Sequence, residues 1–183
     1  QMVLVHVDVG TQNLGGSVHN AARSRVPAII VAGLSPVSTS GDRVGSRTEF
    51  IHYTQDTSRQ HEIVAQYMKW CYEIRVAEMT DQVLLRGLQT AETEPQGPIY
   101  LTGAREVWEE STKAPRQALA KWRPSKQAGL TPKDLNSLNN ALCSAKRPLI
   151  VTSYLGRQTA AVERLVQLAD LIGIAVCEVN PQY

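Results

Sequence analysis

The sequence predicts an α/β protein whose parallel sheets are covered by helices, built as two incomplete units. Three observations predict it. An apolar run, Met2-Val3-Leu4-Val5-His6-Val7, leads into the glycine-containing segment Asp8-Val9-Gly10-Thr11-Gln12-Asn13-Leu14-Gly15-Gly16, then a helix-like stretch, then a second apolar run, Ala28-Ile29-Ile30-Val31-Ala32. Strand, glycine turn, helix, strand is the order of a parallel unit. The candidate strands are short and apolar without alternation, the pattern of strands buried on both faces. Finally, the alternation stops in a basic, proline-containing stretch over 111–127 and restarts at Thr131.

Taken in order, strands are placed near 3–7, 28–32, 71–75 and 98–102, and helices over 13–23, 58–67 and 80–93. Gly10 is placed where the backbone must turn tightly and a side chain would clash. Asn13 lies just past that turn, where its amide can donate and accept at once. In the helix over 80–93, Val83, Leu84, Leu88 and Ala91 fall on one face, Asp81 and Gln82 suit the positive end of its first turn, and Pro95 ends it. The stretch over 34–57 is long and polar. Long loops inside compact domains are uncommon and often functional, and this one leaves the carboxyl end of a strand, where α/β folds bind ligands. Gly41-Asp42 within it is read as a turn.

Lys113, Arg116, Lys121, Arg123 and Lys126, with Pro115 and Pro124, make the next stretch a basic linker, with Trp122 as its anchor on a domain surface. Thr131-Pro132-Lys133-Asp134 reads as a helix N-cap with proline at the first helical position. Leu135, Leu138 and Leu142 then share an apolar face. A strand over 148–152, a helix over 160–171 capped by Gly173, and a strand over 174–179 complete a second β-α-β unit that is half of a Rossmann-like fold. The expected organisation is a partial first domain over 1–110, a linker over 111–130 and a partial second domain over 131–183.

Composition narrows the class. Of 183 residues, 43% are hydrophobic and 20% charged, ordinary for an α/β protein. A net charge of +2 is too small to imply nucleic acid as a partner. No apolar stretch reaches the roughly 20 residues needed to span a membrane. Cys71, Cys143 and Cys177 are far apart and odd in number, so neither a disulfide framework nor a zinc site is expected, and Cys71 and Cys177, in apolar runs, are expected as small core residues. A reducing, cytoplasmic setting fits these cysteines.

Gly10-Thr11-Gln12-Asn13, followed by Ala22-Arg23-Ser24-Arg25-Val26-Pro27-Ala28-Ile29-Ile30-Val31-Ala32-Gly33, resembles the thiamine-diphosphate-dependent enzymes of the acetolactate synthase type. There a G-x-x-N turn opens a helix and a Val-Pro-led apolar strand ending in glycine follows. Gln55 corresponds to a glutamine near the cofactor, and Gly97-Pro98-Ile99-Tyr100-Leu101 with Arg105-Glu106-Val107 looks like the end of the family's pyrimidine-binding domain. Arg147-Pro148-Leu149-Ile150-Val151 and the stretch over 169–183 resemble the start of its central domain. The resemblance implies a fragment of an enzyme that decarboxylates or joins 2-oxo acids, with thiamine diphosphate and magnesium as cofactors and a homodimeric or homotetrameric parent. It assigns Gly10 and Asn13 to the wall of the cofactor cleft and Gln55 to contact with the substrate or with the cofactor's ylid region. The family's activating glutamate and its diphosphate- and magnesium-binding motif have no counterpart in this sequence, so the chain by itself is expected to be inactive. Asp8-Val9, where many members have Gly-Pro, and Ala104, where proline is usual, depart from the pattern and leave subfamily and substrate open.

Among the histidines, His52 is the catalytic candidate, since it lies in the long loop close to Gln55. His6 is expected to be buried and hydrogen-bonded in its strand, His19 to be a packing or surface residue of its helix, and His61 to be solvated. Histidines and carboxylates do not recur at metal-ligand spacing, and neither G-x-S-x-G nor G-x-G-x-x-G is present. The alternative reading is a non-catalytic Rossmann- or flavodoxin-like module that binds a nucleotide or a protein.

Overall fold

The computed structural model describes residues 1–39, 41–113 and 118–179. The chain divides into two compact units, one from Gln1 to Gln127 and one from Ala128 onward. In the first, β1 (Met2–Val5), β2 (Ile29–Leu34), β3 (Trp70–Ile74) and β4 (Ile99–Ala104) form one parallel sheet in the order β1-β2-β4-β3. The register pairs Val3 with Ile30, Val31 with Leu101, and Glu73 with Thr102.

Two separate cores account for the apolar, non-alternating strands. On one face, Ile29, Val31, Ile99, Leu101 and Ile74 pack with Val83 and Ala91 of α4 (Thr80–Glu92). On the other, Ile30, Ala32 and Tyr100 pack with Val18 of α2 (Gly15–Arg23) and with Val64. Successive residues of β2 and β4 thus alternate between two buried faces, and every position must be apolar or hydrogen-bonded. Each fully buried large side chain contributes about 1.5–3 kcal/mol by leaving water. Helix α4 approaches closely because Gly87 has no side chain: a Cβ there would lie 3.0 Å from Ile99 Cδ1.

Some local expectations need correction. The helix expected over 13–23 is preceded by a separate turn, α1 (Val9–Gln12), and begins only at Gly15, which takes a φ of +37°. The helix expected over 58–67 is two 3₁₀ turns, Gln60–Ile63 and Ala65–Tyr67. The β-branched pair Ile63-Val64 lowers helix propensity, and the side chain of Gln60 is held by distant partners. His6 is exposed rather than buried, because β1 is an edge strand that ends at Val5. Cys71 is half-buried beside the second core, as anticipated for a small apolar residue.

Pro115 and Arg116 of the basic stretch lie outside the described residues. After them the chain stays largely exposed, with Trp122 set against α4: Gln89 Nε2 donates to Arg123 O at 2.8 Å, Ser125 N–H to Thr93 Oγ1 at 3.1 Å, and half-buried Trp122 lines a recess with Leu88 and Glu92.

The second unit contains α6 (Pro132–Ser144), β5 (Leu149–Thr152), α7 (Thr159–Ile172) and β6 (Ala175–Glu178), with β5 and β6 parallel. Thr131 and Asp134 form a capping box: Thr131 Oγ1 accepts the Asp134 N–H at 3.2 Å, and the Asp134 carboxylate accepts the Thr131 N–H at 3.1 Å. The hydrogen bonds from Thr131 hold the Asp134 carboxyl below its usual pKa. Gly173 caps α7 at φ +62°, the left-handed region. Leu135 and Leu138 are exposed, and Cys177 is exposed instead of buried because β6 has a single neighbour, β5.

Candidate functional site

The candidate site lies at the carboxyl edge of the four-stranded sheet. Because β1 and β2 are adjacent and parallel, the turn leaving β1 and the long loop leaving β2 emerge at the same edge. The turn after β1 depends on Asp8, whose φ of 47° is unusual for a residue with a side chain. Gly10 serves close approach rather than a left-handed backbone: a Cβ on it would lie 3.1 Å from His6 Cβ and 3.3 Å from Val5 C.

Beneath this turn lies a buried polar network. Gln60 Oε1 accepts the Asp8 N–H at 2.7 Å. Gln60 Nε2 reaches Gly33 O at 3.0 Å, Tyr100 OH at 2.9 Å and Thr11 Oγ1 at 3.3 Å, and Thr11 Oγ1 and Tyr100 OH lie 2.6 Å apart. Gln60 is 2% exposed, and Thr11 and Tyr100 are fully buried. The amide orientation is fixed, since only the oxygen can accept from Asp8. Burial pushes the Tyr100 phenol up in pKa, so it stays a neutral hydroxyl.

The loop leaving β2 is pinned at two points. Glu106, in α5 (Arg105–Glu109), accepts the N–H of Val37 at 3.0 Å and, from Ser38, the N–H at 2.8 Å and the hydroxyl at 2.7 Å. Burial pushes the Glu106 carboxyl up, but these hydrogen bonds outweigh it and the net shift is downward. Gly45, at φ +85°, lets the loop lie against the α5 backbone, where a Cβ would come within 3.0 Å of Glu106. The second pin is Arg47, which donates to Pro36 O at 2.7 Å and His52 O at 3.1 Å and pairs with Asp56.

His52 and Gln55 lie at the far end of this loop, in and just after α3 (Ile51–Thr54). His52 is 9% exposed, and its Nδ1 accepts the Thr48 N–H at 3.2 Å, which leaves Nε2 as the nitrogen free for other chemistry. Gln55 is half-buried and its N–H donates to Ile51 O at 3.1 Å. Asn13 is exposed at the end of α1. Side-chain Cβ atoms at Gly15 and Gly16 would meet nothing within 4 Å, so the rim beside Asn13 is open. The contact between loop and turn runs through Gln60, not Gln55. Gly41 takes a φ of +73° in a bend, as a turn there requires.

Next to the network, a recess of about 340 Å³ is lined by Ser35, Arg47, Asp56, Gln60, His61 and Glu73. The Ser35 hydroxyl is buried there without a hydrogen-bond partner. No cluster of metal-ligating side chains occurs among the described residues. His19 is exposed and makes an edge contact with Tyr67, and His61 is exposed. Gln60, Tyr100, Thr11 and Glu106 escaped the sequence reading. Thr11 sits inside the G-x-x-N segment and Glu106 inside Arg105-Glu106-Val107, so motif position marked both, while Gln60 lay in an apparent helix and carried no local signal.

No known family profile matches the chain. Over 149 residues, 81% of its length, it is 28% identical to benzoylformate decarboxylase of Pseudomonas aeruginosa, of which it covers 26%. Its fold matches the thiamine diphosphate-dependent 4-hydroxybenzoylformate decarboxylase of Rhodococcus jostii with a TM-score of 0.77 at 23% identity, covering 97% of this chain and 32% of that one. It matches benzoylformate decarboxylase of Polynucleobacter necessarius with a TM-score of 0.74 at 20% identity, covering 97% and 31%. The chain spans about a quarter of the curated relative and has the fold of the corresponding part of thiamine-diphosphate-dependent enzymes.

Proposed function

We propose that this chain forms part of the pyrimidine-binding cleft of a thiamine-diphosphate-dependent enzyme that acts on 2-oxo acids. The observation that carries the reading is the similarity to a decarboxylase across 81% of the chain. It is supported by the position of the G-x-x-N turn at the carboxyl edge of a parallel sheet. Decarboxylation is favoured over carboligation because the relatives are named decarboxylases, and their names favour an aryl 2-oxo acid over the smaller substrates of an acetolactate synthase-like enzyme. Magnesium and the cofactor's diphosphate would be held by residues outside this chain.

The residues here fit a flat ring at this edge. The rim at Gly15 and Gly16 is open, Asn13 is exposed beside it, and the turn is held from below by buried hydrogen bonds. When bound, thiamine diphosphate supplies a carbon that serves as nucleophile and electron sink. Gly10 keeps the turn close to β1, and Asn13 orients a polar group of the ring. Gln55 contacts the substrate from the neighbouring loop. His52 holds or moves a proton at Nε2, its Nδ1 being committed to Thr48.

The test is carbon dioxide release by the full-length protein that carries this sequence, supplied with thiamine diphosphate and magnesium. Release from benzoylformate supports the reading. No release from aryl or short-chain 2-oxo acids, together with no binding of thiamine diphosphate, would reject it in favour of a binding module.

A further inference from the structure

We propose that Gln60 is the positioning residue that locks the turn after β1 and the loop after β2 into one site. Both segments are built on backbone that needs outside support. The turn depends on the positive φ of Asp8, and the Asp8 N–H is satisfied by Gln60 Oε1 at 2.7 Å. The loop returns toward the sheet through Asp56, which is clasped by Arg47, and Gln60 follows four residues later. The same side-chain amide then reaches Gly33 O at the end of β2, Tyr100 OH in β4 and Thr11 Oγ1 in α1. One buried group therefore joins the chain leaving β1, the chain leaving β2 and the central strand between β2 and β3.

Gln60 is 2% exposed, so its hydrogen bonds are made within the protein and screened from bulk water. Removing the amide leaves the Asp8 N–H and the Gly33 carbonyl without this partner, and a buried network with a missing member loses more than one bond's worth of order. Tyr100 contributes a hydroxyl to the same network, where it bonds Thr11 and Gln60. The inference rests on the reading that the turn carrying Asn13 and the loop carrying His52 and Gln55 serve one site. The lock itself is a property of the chain without cofactor.

Residue-resolved amide hydrogen exchange on the full-length protein that carries this sequence, with no cofactor present, tests it. In the wild type, the hydrogen-bonded amides of Gln12 and Asn13 in the turn and of Tyr53 and Gln55 in the loop should open together, with the same dependence on denaturant. In Gln60→Met, which keeps length and volume but no hydrogen bond, exchange at these amides should rise at least about tenfold while α4 and β4 keep their protection. Tyr100→Phe should leave the turn and loop coupled. Independent opening of the two segments in the wild type would overturn the proposal, even if Gln60→Met failed to fold. Unchanged exchange at Gln12 and Asn13 in a folded Gln60→Met would also overturn it. Because no cofactor enters the measurement, a failed decarboxylase assay would leave this result standing.

Discussion

Strands β4 and β6 are both short, apolar and parallel to their neighbour, yet Leu101 of β4 is fully buried and Val176 of β6 is 41% exposed. Their composition does not separate them. What differs is what surrounds them. Strand β4 lies between β2 and β3, with α4 packed on one face and α2 and the 3₁₀ turns on the other. Strand β6 has one neighbour, β5, and is exposed along its length. An unbroken apolar run therefore announces a strand, and the strands and helices around it decide how much of it leaves water. The candidate site sits on the well-buried sheet, so the loops at its edge are mounted on a stiff scaffold.

Truncating an apolar side chain should therefore cost far more in β4 than in the second sheet. Leu101→Ala should cost about 2–5 kcal/mol in the first unit, because it opens a cavity in a core closed on all sides. Val151→Ala in β5, 60% exposed, should cost about 0.5 kcal/mol or less. Denaturant unfolding with a separate probe in each unit measures both, and equal losses would break the comparison. Next comes Gly103→Ala, with an expected cost of about 1–3 kcal/mol. Its Cβ would lie 2.6 Å from the Trp108 ring, whose Nε1–H donates to Gly103 O at 2.7 Å. An unchanged Tm would show that Trp108 moves aside freely.

In the second unit, Thr131→Ala should cost about 1 kcal/mol by removing the cap of α6. The loss should be confined to that unit, as read by helical circular dichroism. The smallest effect concerns acid. The folded-state pKa of Glu106 is depressed, so its contribution to stability is present above the ordinary glutamate range, near about 4.3, and fades as pH falls through the lower folded value. Tm followed against pH should show a shallower acid decline in Glu106→Gln than in the wild type. Identical acid branches would mean that Glu106 does not hold the loop.

Much of the fold was legible because strands buried on both faces must be apolar or hydrogen-bonded at every position, and β2 and β4 are apolar apart from Thr102 and the hydroxyl of Tyr100. The cap at Thr131 and the left-handed Gly173 were legible because their chemistry is local. Gln60 was not legible. Its partners, Asp8, Gly33 and Tyr100, are 52, 27 and 40 residues away, and no local pattern announces a hydrogen bond of that range. His6 and Cys177 misled for the opposite reason: apolar neighbours suggested burial that only adjoining elements could provide. Motif position marked Gly10, Asn13, His52 and Gln55 as candidates, while the buried amide of Gln60 emerged only from the folded chain.

Under the proposed function, the edge of the first sheet, and not the segment that follows it, meets cofactor and substrate. Turnover of a 2-oxo acid by the full-length protein, measured side by side for Gln55→Ala and Gln127→Ala, tests it most directly, with circular dichroism confirming that both variants fold. A hydrogen bond that strengthens in the transition state is worth about ten- to hundredfold in rate. Gln55→Ala is predicted to lose that factor while Gln127→Ala keeps wild-type turnover. Wild-type turnover in Gln55→Ala would contradict the claim.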